Sequence, residues 1–238
     1  MLRPFFTYYG AKWRLAQHYP EPEFDTLIEP FAGSACYSLR YHKLKVHLFD
    51  IDPVICGIWK WLIKADIQEI KALPSEVKYI DNLDPSIPQG AKDLIGFWLN
   101  RGAAAPAKQA SAWMTDGTWP KQFWGEHVKQ RLIRQVPLIR DWRIEQKSYE
   151  QIDNLQATWF IDPPYQKMGR HYKFNKINYE KLGNWCLARN GQIIVCEQKG
   201  ADWLDFKPFR AAKARRGKSE EVSFVVGNDD SARDLFNT

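Results

Sequence analysis

The chain has few cysteines and no long apolar run. Its four cysteines lie far apart, at Cys36, Cys56, Cys186 and Cys196, with no Cys-x-x-Cys pair and no histidine at ligand spacing. This spacing argues against a structural zinc and is typical of free thiols in a reducing compartment. No segment approaches the ~18 apolar residues of a membrane span, and the N-terminus lacks the apolar core of a signal peptide. We therefore expect no metal, no membrane association and a cytoplasmic location.

The composition indicates a folded protein with a basic surface. The 238 residues are 45% hydrophobic, enough for one large domain or for a core domain with a smaller insert. Eleven Trp and ten Tyr are many for this length, and exposed aromatic rings can stack on bases. A net charge of +6 favours a polyanionic partner. Nothing in the sequence indicates an oligomeric state.

The most informative segment is 157–165. An apolar run at 159–161 predicts a short buried strand, and Asp162-Pro163-Pro164-Tyr165 ends it, because proline lacks the N–H that a strand ladder needs. Ligands bind at this carboxyl edge in open α/β sheets. Asp162 and the Pro163 carbonyl could accept both hydrogens of an exocyclic amino group on a base, while Tyr165 stacks on the ring. The alternative is a plain proline turn in which Tyr165 only packs.

The N-terminal part has the pattern of a nucleotide-binding unit. Residues 26–28 predict a strand, 31–35 a turn of small residues, 36–43 a helix and 45–50 a second strand that ends in Asp50. Small residues after a strand let the backbone approach a ligand closely. Asp50 follows Gly33 by 17 residues, near the ~20 expected for an acid that binds ribose hydroxyls.

Together these motifs resemble the Dam-type (D12 class) DNA adenine N6-methyltransferases, including their phage and prophage-like members. Tyr8-Tyr-Gly-Ala-Lys12 is similar to the family's Trp/Tyr-x-Gly-Gly-Lys motif, and Glu29-Pro-Phe-Ala-Gly33 to its Glu-Pro-Phe-x-Gly-x-Gly loop. Asp50-Ile-Asp is similar to its Asp-Ile-Asn, and Asp162 to Tyr165 match its catalytic tetrapeptide. Ala11 and Ala35 stand where the family has glycines. Each adds a methyl group that disfavours a left-handed backbone, so we expect slightly altered cofactor contacts.

The resemblance implies an α/β fold with a Rossmann-like S-adenosylmethionine-dependent methyltransferase sheet. It implies a catalytic domain formed by 1–53 and 157–238, and an inserted helical target-recognition region at 54–156. S-adenosylmethionine is the implied cofactor, and Asp162, Pro163, Pro164 and Tyr165 are the implied catalytic residues. The implied cofactor-binding residues are Tyr8, Gly10, Lys12, Phe31, Gly33, Asp50 and Asp162.

Periodicity predicts further elements. Helices are expected at 54–65, with Trp59, Trp61 and Leu62 facing inward, at 93–99, at 127–136 and at 179–190. In the helix at 127–136 we expect Lys129, Arg131 and Arg134 to face outward. A helix is also expected after Lys12, strands at 139–148, 192–196 and 220–227, and a turn of helix at 149–155.

Basic residues predict where nucleic acid would bind. Residues 97–147 hold nine Lys/Arg against four Asp/Glu and five of the Trp, and 207–218 hold six Lys/Arg and no acid. A solvated basic surface is the alternative. In the family the loop after the tetrapeptide closes over the extruded base, which points to Arg170, His171, Tyr172 and Phe174. The predicted phosphate contacts are Arg101, Lys108, Lys121, Arg134, Arg170, Arg215 and Arg216.

The resulting hypothesis is methylation of the adenine N6 amino group in double-stranded DNA by base flipping, in host regulation, restriction-modification or phage protection. Two alternatives stay open. One is the same chemistry on RNA adenine or on cytosine N4, which the tetrapeptide also permits. The other is a catalytically silent protein that keeps the fold and binds DNA. The recognition sequence cannot be read from the chain, because base readout depends on which side chains reach the groove edges.

Overall fold

A computed structural model describes residues 1–115, 122–214 and 217–227, with the backbone alone at 113, 210–214 and 217–219. The described strands are β1 Thr26–Glu29, β2 Lys45–Asp50, β3 Arg143–Gln146, β4 Ala157–Ile161, β5 Gly191–Gln198, β6 Lys207–Ala214 and β7 Gly217–Val226. The described helices are α1 Cys36–Arg40, α2 Pro53–Lys64, α3 Ile67–Ala72, α4 Gln89–Leu99, α5 Ala112–Thr115, α6 Glu126–Gln135 and α7 Tyr179–Leu187.

The seven strands form one sheet in the order β3-β2-β1-β4-β5-β7-β6. The first five are parallel, and β7 lies antiparallel between β5 and β6. From β1 the chain moves outward through β2 and β3, and then returns to the other side of β1 as β4. Such a reversal opens a crevice at the carboxyl ends of the two central strands, where ligands bind in this class of sheet. The predicted α/β fold class with a Rossmann-like, mostly parallel sheet is confirmed.

Two hydrophobic cores lie on the two faces of this sheet. Leu27 and Phe160 point into one core, and Ile28 and Trp159 point into the other. Parallel strands that are buried on both faces have continuous apolar runs in their sequence. The apolar runs therefore predicted the positions of β4 and β5 accurately.

Helix α2 shows how the sequence sets its own boundaries. The Asp52 side chain caps its first turn by accepting the Val54 N–H at 2.9 Å, and Pro53 occupies the first helical position. Trp59, Trp61 and Leu62 are buried as predicted. The helix differs from its predicted range, 54–65, by one residue at each end.

The outward-facing assignment in α6 is wrong for two of three residues. Arg134 is exposed, but Lys129 is buried and Arg131 is half-buried. The Lys129 ammonium is 3.2 Å from Oγ of Ser75 and 3.4 Å from the Glu126 carboxylate. Periodicity on one helix does not reveal that another segment covers its polar face.

Other elements are shorter than predicted. The strand expected at 139–148 forms only as β3, because residues 136–139 form a 3-10 turn. The helix expected at 179–190 ends at Leu187, the helix expected at 36–43 ends at Arg40, and the 149–155 turn covers Tyr149–Gln151. After Lys12 the chain forms only the 3-10 turn Ala16–His18.

The segment 54–156, which was expected to be an insert, contains one strand of the central sheet and one helix that packs on that sheet. Helix α2 packs on β2 and β3, and β3 itself is a strand of the central sheet. Helices α3 to α6 follow α2 before the chain returns to β3. Within the described part of the chain, no helix has the length and hydropathy to cross a membrane. The same residues contain no cluster of His, Cys, Asp and Glu suited to a metal ion.

Candidate active site

A cavity of about 290 Å³ opens at the carboxyl ends of the central strands. Its wall includes residues from the ends of β1, β2 and β4 and from the N-terminal segment 8–12. The structure brings all seven predicted cofactor-binding residues to this wall: Tyr8, Gly10, Lys12, Phe31, Gly33, Asp50 and Asp162. Residues that are more than 100 positions apart in the chain therefore share one cavity.

The loop after β1 is held by hydrogen bonds to the backbone N–H and to the backbone carbonyl of Gly33. Its N–H donates to Oδ2 of Asp50 at 3.0 Å, and its carbonyl accepts from Nε1 of Trp59 at 2.8 Å. Gly33 has φ +44°, and a Cβ there would lie 3.1 Å from the Tyr8 ring. Glycine adopts this backbone conformation without strain, and a side chain here would crowd the Tyr8 ring.

Asp50 ends β2 with its carboxylate at the cavity wall. Its second oxygen, Oδ1, accepts the Asp52 N–H at 2.9 Å. Burial raises the pKa of Asp50 to about 6, although the backbone N–H groups oppose the rise. The next residue, Ile51, also lines the cavity and leaves 46% of its surface exposed, and Phe31 lies on the same wall. One carboxylate beside two apolar side chains suits a ribose joined to a flat base.

The two alanines that depart from the family motifs behave differently. Ala35 adopts φ 47° and ψ 44°, so the left-handed conformation is kept despite the added methyl group. That conformation costs about 1–2 kcal/mol in a residue other than glycine. Ala11 is not among the described residues with positive φ, and the substitution there causes no such strain.

At the end of β4, Asp162 forms an ion pair with Lys12. The Lys12 Nζ lies 3.1 Å from Oδ1 of Asp162, 3.0 Å from the Gly10 carbonyl and 4.5 Å from the centre of the Tyr165 ring. Burial raises the pKa of Asp162, and the Lys12 ammonium opposes this rise. Burial acts to lower the pKa of Lys12, but the carboxylates of Asp162 and Glu221 outweigh it and the pKa is raised.

Three side chains that the sequence did not single out for this purpose hold the tetrapeptide. Tyr165 donates its hydroxyl proton to Oε2 of Glu221 at 2.5 Å, and the Tyr179 hydroxyl donates to the Pro164 carbonyl at 2.6 Å. Glu197, at the end region of β5, accepts the Gln166 N–H at 3.1 Å. Only Glu197 had a sequence signal, because it lies at the carboxyl edge of a predicted strand. Among the tetrapeptide residues, Asp162 and Pro164 line the cavity, whereas Pro163 and Tyr165 do not.

The loop after the tetrapeptide lies over the N-terminal motif. The Tyr172 hydroxyl donates to the Tyr9 carbonyl at 3.1 Å, and the His171 ring lies 5.3 Å from the Tyr9 ring. Tyr172 and Phe174 both line the cavity. Gly10 has φ +73°, and a Cβ there would lie 2.2 Å from the Tyr172 hydroxyl, so this contact requires glycine.

Glu29 is the most deeply buried carboxyl group in the cavity wall, with 2% of its surface exposed. Its Oε1 accepts the Ser38 N–H of α1 at 2.8 Å. Burial raises the pKa of Glu29 to about 8, so the group is mostly protonated at neutral pH.

The predicted phosphate contacts are spread over the surface. Arg101, Lys108, Arg134 and Arg170 are exposed. Arg101 donates to Oε1 of Gln122 at 2.6 Å, and its guanidinium lies 5.9 Å from the Trp98 ring. Lys121, Arg215 and Arg216 lie outside the described residues.

Comparison with known proteins gives distant structural similarities. No family model and no curated protein matches the chain. A protein described as a methyltransferase from Escherichia coli is 10% identical, with 83% of this chain and 74% of that chain covered and a TM-score of 0.36. A protein described as a methylase from Haemophilus influenzae is 12% identical, with 83% and 85% covered and a TM-score of 0.33. A SAM-dependent methyltransferase from Neisseria gonorrhoeae is 12% identical, with 94% and 69% covered and a TM-score of 0.37. Similarities this distant carry no argument about activity or substrate.

Proposed function

We propose that this protein transfers the methyl group of S-adenosylmethionine to the N6 amino group of adenine in double-stranded DNA. The observation that carries the proposal is one cavity that joins Asp50, at the end of β2, to Asp162, at the end of β4. The first carboxylate can accept hydrogen bonds from ribose hydroxyls, and the second can accept one from an amino group that loses a single proton on methylation. The tetrapeptide around Asp162 and the order of the motifs along the chain point to the same chemistry.

The cavity wall carries groups that suit separate parts of the cofactor. Gly33 lets the backbone come close, Phe31 and Ile51 offer apolar surface for an adenine ring, and Asp50 offers acceptor oxygens for ribose hydroxyls. When bound, S-adenosylmethionine supplies an electrophilic methyl group on a sulfonium ion. Asp52 and Asp162 lie in the same wall with four lysines, so the charge of the wall does not by itself select a cationic ligand.

The role of Asp162 is to accept a hydrogen bond from the amino group and to orient its nitrogen. The second acceptor is the Pro163 carbonyl, which must become accessible from the cavity because Pro163 does not line it in this structure. Fixed acceptors in a desolvated cavity act through positioning and electrostatics and are worth several kcal/mol of barrier. Lys12 favours the ionised form of Asp162, which is the form that accepts.

A base within a duplex cannot reach this cavity, so the target adenine must be flipped out at a cost of a few kcal/mol. Stacking of the base on Tyr165 requires its ring to become accessible, because Tyr165 does not line the cavity and Lys12 lies 4.5 Å from the ring centre. The hydrogen bond to Glu221 fixes the orientation of the ring. For the base to enter, the loop that holds Tyr172 must move away from Tyr9 and Gly10. The net charge of +6 supports a polyanionic substrate.

The test is a methyl-transfer assay with S-adenosylmethionine labelled in its methyl group. Unmethylated DNA and RNA are offered separately, modified nucleosides are identified by mass spectrometry, and modified positions in DNA are mapped by single-molecule sequencing. We expect N6-methyladenine in DNA, and an Asp162→Asn variant at least ~100-fold slower at saturating cofactor and DNA. Label in RNA alone or in cytosine would reject the substrate. Cofactor and DNA binding without any transfer would point to the catalytically silent alternative.

A further inference from the structure

A second, larger cavity lies on the other side of the N-terminal segment. It is an open cavity of about 910 Å³. We call it the arginine pocket, because its wall includes Arg3, Arg14, Arg101 and Arg131 together with Trp13 and Trp98. Among the described residues that line it there is no Asp or Glu. Four cations line one open cavity whose described wall holds no carboxylate, and this favours a negatively charged ligand.

Arg131 is the residue that points most directly to a ligand. Its Nε and Nη2 atoms are shielded from solvent and have no hydrogen-bond partner. Burial and the neighbouring Arg3, Arg101 and Arg134 lower the pKa of Arg131 to about 10, which leaves the guanidinium charged at neutral pH. A buried charged donor without a partner is costly, and such groups in folded proteins are normally satisfied.

Trp98 holds this guanidinium in place. The Arg131 guanidinium lies 4.8 Å from the centre of the Trp98 ring, and that of Arg101 lies 5.9 Å from it. The indole is itself fixed, because Trp98 is 5% exposed and its Nε1 donates to the Phe5 carbonyl at 2.8 Å. A guanidinium held over a rigid aromatic ring has a planar fork of donors that suits the oxygens of a phosphate. A phosphate reaches the shielded Nε and Nη2 atoms of Arg131 once the side chains that cover them move aside.

We propose that the arginine pocket binds a phosphate group, with Arg131 as the central donor. The pocket shares two wall residues, Tyr8 and Ala11, with the candidate active site. A phosphate bound there would therefore lie next to the cavity that we propose for the flipped base. We accordingly expect the phosphate to belong to a nucleic-acid backbone, and this choice of source rests on the proposed function. The proposal that the pocket binds a phosphate does not rest on the proposed function.

The experiment compares Arg131→Met and Arg131→Lys with the wild type. Arg143→Met is the matched control, because Arg143 is exposed at the start of β3 and lies outside both cavities. Binding of inorganic pyrophosphate is measured by calorimetry, and binding of a short DNA duplex by anisotropy over a range of salt concentrations. No cofactor is added, so failure of methyl transfer would not affect either measurement.

For a backbone phosphate, we expect Arg131→Met to weaken duplex binding roughly tenfold to a hundredfold, which is the loss of a hydrogen bond to a charged group. The slope of log affinity against log salt should fall by about 0.9, the value for one phosphate contact. Arg131→Lys should keep the slope but lose affinity, because it keeps the charge without the fork. Arg143→Met should match the wild type.

For a free phosphate compound, pyrophosphate should bind the wild type saturably and raise its Tm, and neither effect should occur with Arg131→Met. Duplex affinity would then be equal in the two proteins, which would support the site but reject the backbone as its source. The proposal is overturned if Arg131→Met binds both pyrophosphate and duplex as the wild type does. Misfolding is monitored by thermal unfolding in phosphate-free buffer, where loss of an unpaired buried charge should not lower Tm.

Discussion

The ammonium group of Lys12 lies 3.1 Å from the carboxylate of Asp162, so the N-terminal motif and the tetrapeptide meet in one ion pair. The two residues are 7% and 21% exposed. At this degree of burial, removal of one partner leaves the other charge poorly solvated. The pair therefore matters to stability as well as to chemistry, and the two roles can be measured separately.

Lys12→Met is expected to destabilise the fold by about 3 kcal/mol, because the Asp162 charge remains buried without its partner. The double variant Lys12→Met with Asp162→Asn should recover part of this loss, since no unpaired charge remains. Urea unfolding of the wild type, both single variants and the double variant measures the coupling. Additive losses would show that the ion pair contributes no interaction energy.

Lys12→Met is also expected to change the pH dependence of methyl transfer. The Lys12 ammonium favours the ionised form of Asp162, so its removal raises the pKa of that carboxyl further. The acid limb of the rate profile should then move to higher pH by about 1–3 units, the usual effect of one close opposite charge. The residual rate of the variant, measured across pH at saturating cofactor and DNA, is compared with the wild type. If the acid limb of the rate profile does not move, a group other than Asp162 determines its position.

Asp50 provides a pH-dependent test of cofactor binding. Its pKa is raised to about 6, so the carboxylate that would accept ribose hydroxyls is lost as the pH falls through 6. We expect the affinity of the wild type for S-adenosylmethionine to decline below that pH. Asp50→Asn should bind more weakly at pH 8 and lack the decline, while its rate at saturating cofactor changes less. Calorimetric titrations at pH 5 to 8 would contradict this assignment if both proteins gave the same curve.

Gly10→Ala is expected to disturb the loop over the cavity. The added Cβ would lie 2.2 Å from the Tyr172 hydroxyl, in addition to the strain of φ +73°. Gly102→Ala is the matched control, because Gly102 has φ +74° and nothing within 4 Å of its Cβ position. Both variants should lose about 1 kcal/mol of stability from backbone strain. Only Gly10→Ala should alter cofactor affinity and proteolysis of the loop at 166–178, and equal effects in the two would reject the contact.

Glu29 is expected to make the protein less stable as the pH rises. Its pKa of about 8 in the folded state exceeds that of the unfolded chain, so between pH 4.5 and 8 the folded state holds an extra proton. Stability should fall through this window by at most about 1.4 kcal/mol per pH unit. Glu29→Gln should remove that decline and be more stable at pH 8, because its side-chain carbonyl can still accept the Ser38 N–H. Unfolding by urea across pH tests this, with Glu76→Gln at an exposed position as the control.

Sequence patterns were most accurate where a strand is buried on both faces. The apolar runs at β4 and β5 and the acid at the end of β2 could be located from the chain alone. Contacts between distant elements were not accessible in this way. Nothing in the spacing of α6 reveals that Ser75 covers Lys129 or that Trp98 underlies Arg131.

The sequence by itself determined the strand, turn, helix and strand between residues 26 and 50, the Gly33 turn and the Asp162 tetrapeptide, because these depend on local backbone preferences and on a recurring motif order. Only the tertiary structure decided that Lys12 pairs with Asp162, that Glu221 holds Tyr165 and that four arginines surround a second cavity. The physical reason is that burial and charge pairing arise between segments far apart in the chain. Their energies depend on distances that the fold sets and that no local pattern encodes.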